Sequence, residues 1–196
     1  MTNPEIFRTK TSYLMVGTFA VLVLGINIQT WLSDGVRTGI ITAVWTIFVG
    51  SVVYQILFRP KIVFFDEGIT ISNPVKELTF GWDQIDSIEA RYSMSVVVQG
   101  KTIYAWAAPA PSRYHARNIH PSELRGLKVG SEGTLRPGES PRSDSGVAKH
   151  IAQMRMDNFV EKRLIGAESS IRYDFVGISI TVVSLMLGIA LNIIGF

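Results

Sequence analysis

Three runs of this chain, Tyr13–Leu32, Gly39–Phe58 and Phe175–Phe196, contain no Asp, Glu, Lys or Arg. Each is about 20 residues long, the length at which an α-helix covers roughly 30 Å of hydrocarbon. A helix packed on one side of a soluble core keeps a charged or polar face, and none of these runs has one. The sequence therefore predicts three transmembrane helices, a hairpin over residues 13–58 and a C-terminal span over 173–196, with a polar middle between them. The first run is long for the apolar part of a signal peptide. Its end, Thr30-Trp31-Leu32-Ser33, has no small-x-small cleavage pattern, so a retained helix is expected.

Charge placement gives an expected orientation. Arg8 and Lys10 precede the first run, Arg59 and Lys61 follow the second, and Lys162, Arg163 and Arg172 precede the third. The loop Ser33–Thr38 carries only Asp34 and Arg37. Positive flanks stay on the cytoplasmic side, which places residues 1–12 and the polar middle inside the cell and Phe196 outside, in the cytoplasmic membrane. Tyr13 and Tyr173 then fall at the inner interface and Trp31 at the outer one. Orientation accounts for much of the net charge of +3, and no basic motif interleaved with aromatics points to nucleic acid. With no cysteine, disulfides, thiolate metal sites, iron–sulfur ligation and Cys nucleophiles are excluded.

Beyond Pro60 the pattern changes to short strands. Pro60 is expected to end the second span by pushing Arg59 toward extended geometry. Lys61–Phe65 is β-branched and aromatic, Asp66-Glu67-Gly68 supplies a turn, and Ile69–Ser72 alternates apolar with polar. Leu78–Trp82 alternates again after the turn Asn73–Lys76, and a fourth run carries Ile85 and Ile88 to Tyr92. Met94–Gln99 and Thr102–Ala107 flank Gly100-Lys101 as a hairpin. Six strands with tight turns predict an antiparallel meander over residues 59–108, so the fold class is membrane α+β. Residues 109–146 hold five of the eight prolines and no apolar period, and read as a Pro/Arg-rich linker. Ser143-Asp144-Ser145 offers N-caps for an amphipathic helix over 147–165, with Val147, Ile151, Met154 and Phe159 on one side.

The run Arg59-Pro60…Asp66-Glu67-Gly68-Ile69-Thr70-Ile71-Ser72-Asn73-Pro74…Trp82-Asp83-Gln84-Ile85 resembles the bacterial pleckstrin-homology (PH)-like membrane proteins. These form the actinobacterial group related to the low-molecular-weight protein antigen 6 domain. The resemblance covers about Thr11–Ala108 and implies a two-helix hairpin followed by a small PH-like β-domain on the cytoplasmic side. A full PH barrel has seven strands and a helix that plugs one end; here six strands are read, and the helix follows a long linker. PH domains that hold inositol phosphates place several bases on the first two strands and their loop. Here Lys61 stands alone and the loop carries Asp66 and Glu67, which repel phosphate. The resemblance therefore implies a fold without a headgroup site.

Candidate sites are few. His115, His120 and His150 have no carboxylate at ligand spacing, so no metal is expected. No G-x-S-x-G or P-loop spacing occurs, and no enzyme, cofactor or small-molecule substrate is expected. Asn27, Gln29 and Asn192 are the polar residues noted within the apolar runs, none of them ionisable, which argues against an ion path. Small residues form stripes: Gly177, Thr181, Ser184, Gly188 and Asn192 in the third span, and Thr42, Thr46 and Gly50 in the second. Such stripes let helix backbones approach closely, either inside this chain's own helix group or against another membrane subunit. Arg59, Lys61, Arg113, Arg117, Arg125 and Lys128 are the expected cytoplasmic basic contacts, to anionic lipid or to an acidic partner face. The function expected is a non-enzymatic accessory or scaffold subunit of a larger cytoplasmic-membrane assembly, respiratory or transport. Its partners would be membrane lipids and other integral membrane subunits. The alternative is a membrane-anchored PH-like module that senses lipid headgroups.

Overall fold

A computed structural model describes residues 1–111, 138, 140 and 143–194. In chain order the elements are β1 (Glu5–Phe7), α1 (Lys10–Ser33), α2 (Gly35–Val53) with a π turn (Tyr54–Phe58), β2 (Lys61–Phe65), β3 (Gly68–Ser72) and β4 (Lys76–Gly81). After a short 3-10 turn (Trp82–Gln84) come β5 (Ile85–Ala90), β6 (Ser93–Val98), β7 (Lys101–Pro109), α3 (Asp144–Lys162), β8 (Ser170–Tyr173) and α4 (Phe175–Ile193). The architecture is mixed α+β and divides into two compact units.

The helical unit contains α1, α2 and α4, and all three helices are long and apolar enough to cross a membrane. The hairpin turn is tighter than the sequence implied, since only Asp34 separates α1 from α2 where a loop over Ser33–Thr38 was expected. The end of α2 also differs. Arg59 keeps helical dihedrals, φ −66° and ψ −39°, although the residue before proline is usually pushed out of that region. The π turn explains this: Arg59 N donates to Tyr54 O five residues back at 2.8 Å, and the widened turn carries the chain up to Pro60 before it leaves the helix.

The second unit is built from two antiparallel sheets, ordered β1-β2-β3-β4-β8 and β5-β6-β7. Ile62 and Phe64 of β2 stand opposite Ile71 and Ile69 of β3, which in turn stand opposite Leu78 and Phe80 of β4. These six apolar side chains share one face and are buried. Ile85, Ile88, Met94, Val96, Val98 and Ala105 from the three-stranded sheet belong to the same core. Trp82 closes it, with its indole nitrogen donating to Phe65 O at 2.9 Å. Gln99 and Gly100 both take positive φ, 49° and 73°, the condition for a two-residue primed turn between β6 and β7. The turn thus sits one residue earlier than Gly100-Lys101.

Two strands and one helix face depart from the sequence reading. Glu5–Phe7 lies in a stretch taken for an N-terminal tail, yet it pairs with β2. β8 was not anticipated, because all four of its residues are exposed and carry no burial pattern. Trp82 leaves the end of β4 for the 3-10 turn, and β5 stops at Ala90, short of Tyr92. α3 starts at Asp144, three residues earlier than expected, because the Ser143 hydroxyl accepts from Gly146 N at 2.9 Å and caps it. Its buried residues are Ser145, Gly146, Ala148, Ala152 and Phe159, while Val147 and Met154 point outward and Ile151 is half-buried. Small alanines win this face because they allow the helix axis to approach the core closely. The greater part of the 109–146 linker lies outside the described residues.

One side chain links the two sheets by hydrogen bonds. Asn73, just past β3, donates from Nδ2 to Tyr104 O at 2.8 Å and accepts at Oδ1 from Trp106 N at 3.0 Å. A carboxamide offers the same donor–acceptor pair as a peptide group, so Asn73 acts as a one-residue strand on the edge of β7. Asn73→Ala should leave the Tyr104 carbonyl and the Trp106 amide without this partner and lower stability by about 1–3 kcal/mol. Asn73→Asp, which keeps the acceptor, should cost less. Denaturant unfolding of the full chain in detergent micelles, followed by tryptophan fluorescence, measures both.

Candidate functional site

The residues expected to pack helices are the place where the sequence pointed most directly to function. Gly177, Thr181, Ser184 and Gly188 line the face of α4 that meets α2 within the helical unit. Ser184 and Gly188 are buried. A Cβ at Gly188 would lie 3.1 Å from Cε2 of Trp45, a tight contact that the glycine relieves. Lower in the seam, Gln55 donates from Nε2 to Gly177 O at 2.8 Å and to Thr181 Oγ1 at 2.7 Å. Ser51 Oγ also meets Thr181 Oγ1, at 2.9 Å. Asn192 is exposed and donates to Gly188 O of its own helix at 2.8 Å.

The stripe on α2 serves a different neighbour. Asn27 of α1 donates from Nδ2 to Thr46 Oγ1 at 2.8 Å, and Gly50 lines an apolar groove between α1 and α2 with Val16, Phe19 and Val23. Thr42 is half-buried in the same row. The two stripes named from sequence therefore do not face each other. Facing α4 are Trp45, Ser51 and Gln55. Sequence reasoning passed over Gln55, although a polar amide inside an apolar span is itself a signal of an interhelical bond.

At the end of this seam stands an ion pair. Arg59 Nε lies 2.8 Å from Asp174 Oδ2, and both side chains are largely covered. Asp174 also caps α4, accepting from Gly177 N at 3.2 Å through Oδ1. Arg59 is thus paired within the helical unit, with a carboxylate partner that its expected role as a basic contact did not include. A groove of about 480 Å³ opens beside the pair, with Ser51, Tyr54, Ile47 and Ile180 among its walls. Lys61 is half-buried on β2, opposite Ser72. Arg113, Arg117, Arg125 and Lys128, like His115 and His120, lie outside the described residues.

In the α+β unit the acidic β2–β3 turn is engaged internally. Asp66 Oδ1 accepts from Arg155 of α3 at 2.6 Å, and Arg155 also reaches Glu5 at 3.2 Å. Glu67 accepts from the hydroxyl and the amide of Thr2. These hydrogen bonds favour the ionised carboxylate and hold its pKa below the ordinary value of 4.5. A neighbouring pocket of about 360 Å³ brings Glu67, Glu77 and Glu168 near Arg172. Among the described residues no group of three His, Asp or Glu gathers as a metal site. Burial raises the pKa of Asp144 at the start of α3. On the outer face of β7, Tyr104 and Trp106 are about half exposed.

No family model, curated protein or solved structure matches this chain.

Two outcomes follow from this geometry. Gln55→Leu removes the donor shared by Gly177 and Thr181 and should reduce the thermal stability of the full chain in micelles by about 0.6–2 kcal/mol. Calorimetry or circular dichroism reads it. Because the Glu67 pKa is lowered on folding, its contribution is complete above pH 4.5 and is lost as pH falls through the lowered value. Protection of the Thr2 amide, measured against its intrinsic exchange rate, should therefore fall below that pH, while the β3 amides stay protected.

Proposed function

We propose that this chain is a multi-span membrane protein whose helical unit anchors an α+β domain and acts as a non-enzymatic accessory or scaffold subunit in a larger membrane assembly. The observation that carries this reading is α1. It has no buried residue, and Leu14, Val21, Leu22, Leu24 and Leu32 are all more than half exposed. In water an apolar surface of that extent is untenable; in a bilayer it is covered by lipid or by another protein. The small-residue face of α4 is taken by α2, while α1 keeps a broad apolar face open to a partner.

The positive flanks support a cytoplasmic α+β unit with Ile194 on the outer side. Two antiparallel sheets sharing one core, with α3 packed against both, support a PH-like reading of that unit. The headgroup-sensing alternative is less well supported, since both acids of the β2–β3 turn are tied to Arg155 and Thr2 and, among the described residues, no basic cluster stands in their place.

Photo-crosslinking in intact membranes tests the reading. A crosslinker at Leu22 or Leu24 of α1 should give a protein adduct of discrete mass, and one at Val183 on the outer face of α4 should give much less. Lipid-only products at α1, with a lone monodisperse chain after mild-detergent purification, would remove the scaffold role.

A further inference from the structure

We infer that the groove beside Arg59 and Asp174 is a binding site for one phospholipid with a phosphoethanolamine headgroup. This rests on the membrane reading above and adds a ligand to it. The groove, about 480 Å³, has the volume of an ordinary small-molecule site, which spans about 300–1,000 Å³. Its lining is divided. Arg59 and Asp174 stand at one end with Tyr54, and the remainder is mainly aliphatic, with Ile47, Val176 and Ile180 along α2 and α4. A headgroup at one end and an acyl chain along the rest is the ligand shape that such a division accepts.

The two charges select the headgroup. A guanidinium 2.8 Å from a carboxylate makes a neutral pair, which gives no net attraction to an anionic lipid. It does match a zwitterion laid across it in the opposite sense, with phosphate toward Arg59 and ammonium toward Asp174. The Asp174 carboxylate has lone pairs for a primary ammonium beyond the bonds it makes to Arg59 and Gly177 N. A quaternary ammonium has no N–H to donate there. Phosphatidylglycerol has no cation for Asp174, whose charge repels its phosphate. The π turn contributes to the position: it carries Tyr54 and Gln55, so the widened turn borders the groove while its amide closes the seam behind it.

The test uses the full chain, extracted from membranes and analysed by native mass spectrometry. Equal amounts of phosphatidylethanolamine, phosphatidylcholine and phosphatidylglycerol are added in detergent. The wild-type chain should retain one phosphatidylethanolamine in preference to the other two. Asp174→Asn keeps an N-cap but removes the charge, and should lower that preference by about tenfold or more. Ile180→Trp leaves the ion pair intact and fills the aliphatic part of the groove, so it should lower retention of all three lipids. Equal retention of the three lipids by the wild type, or an unchanged preference in Asp174→Asn, overturns the inference. Alkaline carbonate washing of the membranes separates this from the anchoring reading. A chain that stays in the membrane but shows no lipid preference overturns the lipid site alone. A chain released by carbonate overturns both.

Discussion

An amide NH2 among apolar helices must donate to something, and Gln55 donates twice across the α2–α4 seam, to Gly177 O and to Thr181 Oγ1. Apolar neighbours supply no alternative acceptor, which makes a satisfied amide a constraint on how the two helices can be placed. A shift of either helix by one residue would separate these atoms and bring a larger side chain to the position of Gly188 against Trp45. The hydrogen bonds fix the register and the small residues permit the approach. The Arg59–Asp174 pair ends the same seam, so a single interface holds the polar network, the glycine contact and a groove bordered by an ion pair.

The α+β unit follows a different logic, in which area matters more than polarity. Its core is made from alternate residues of six strands, and the two sheets meet over it with Trp82 and the alanines of α3 filling the gaps. Polar side chains take over where strands run out. Asn73 continues the edge of β7 after β3 has ended, and Arg155 draws Glu5 and Asp66 together, fastening β1 and the β2–β3 turn to the helix.

How legible was this in the sequence? The long apolar runs declared the three helices to within a few residues, because a period-free uncharged stretch has few other uses. The strands from Lys61 to Ala107 were also readable, since burial on one face imposes alternation. β1 and β8 were not, because an exposed edge strand is specified by backbone pairing and leaves no pattern in its side chains. The buried face of α3 was misjudged for a related reason. Large apolar residues such as Met154 look like core, whereas a helix that packs closely presents Ala148 and Ala152. In the helical unit, small-residue spacing marked one face of α4 and one of α2, and the structure gives the two faces different neighbours, α2 and α1. Composition marks a helix face as smooth; it does not say which neighbour will use it. Arg59 illustrates the limit of charge counting, since a base that looks outward-facing can be claimed by a carboxylate more than a hundred positions away.

The five-stranded sheet takes its two outermost strands from opposite ends of the chain. β1 precedes α1 and β8 precedes α4, while the three strands between them come from the middle. During synthesis the middle strands emerge long before β8 exists, so β4 must wait with a bare edge from Gly81 until Ser170 has been added. Completion of the five-stranded sheet is therefore coupled in time to delivery of α4, and a nascent chain stalled before Ser170 would present an open strand to whatever surrounds it.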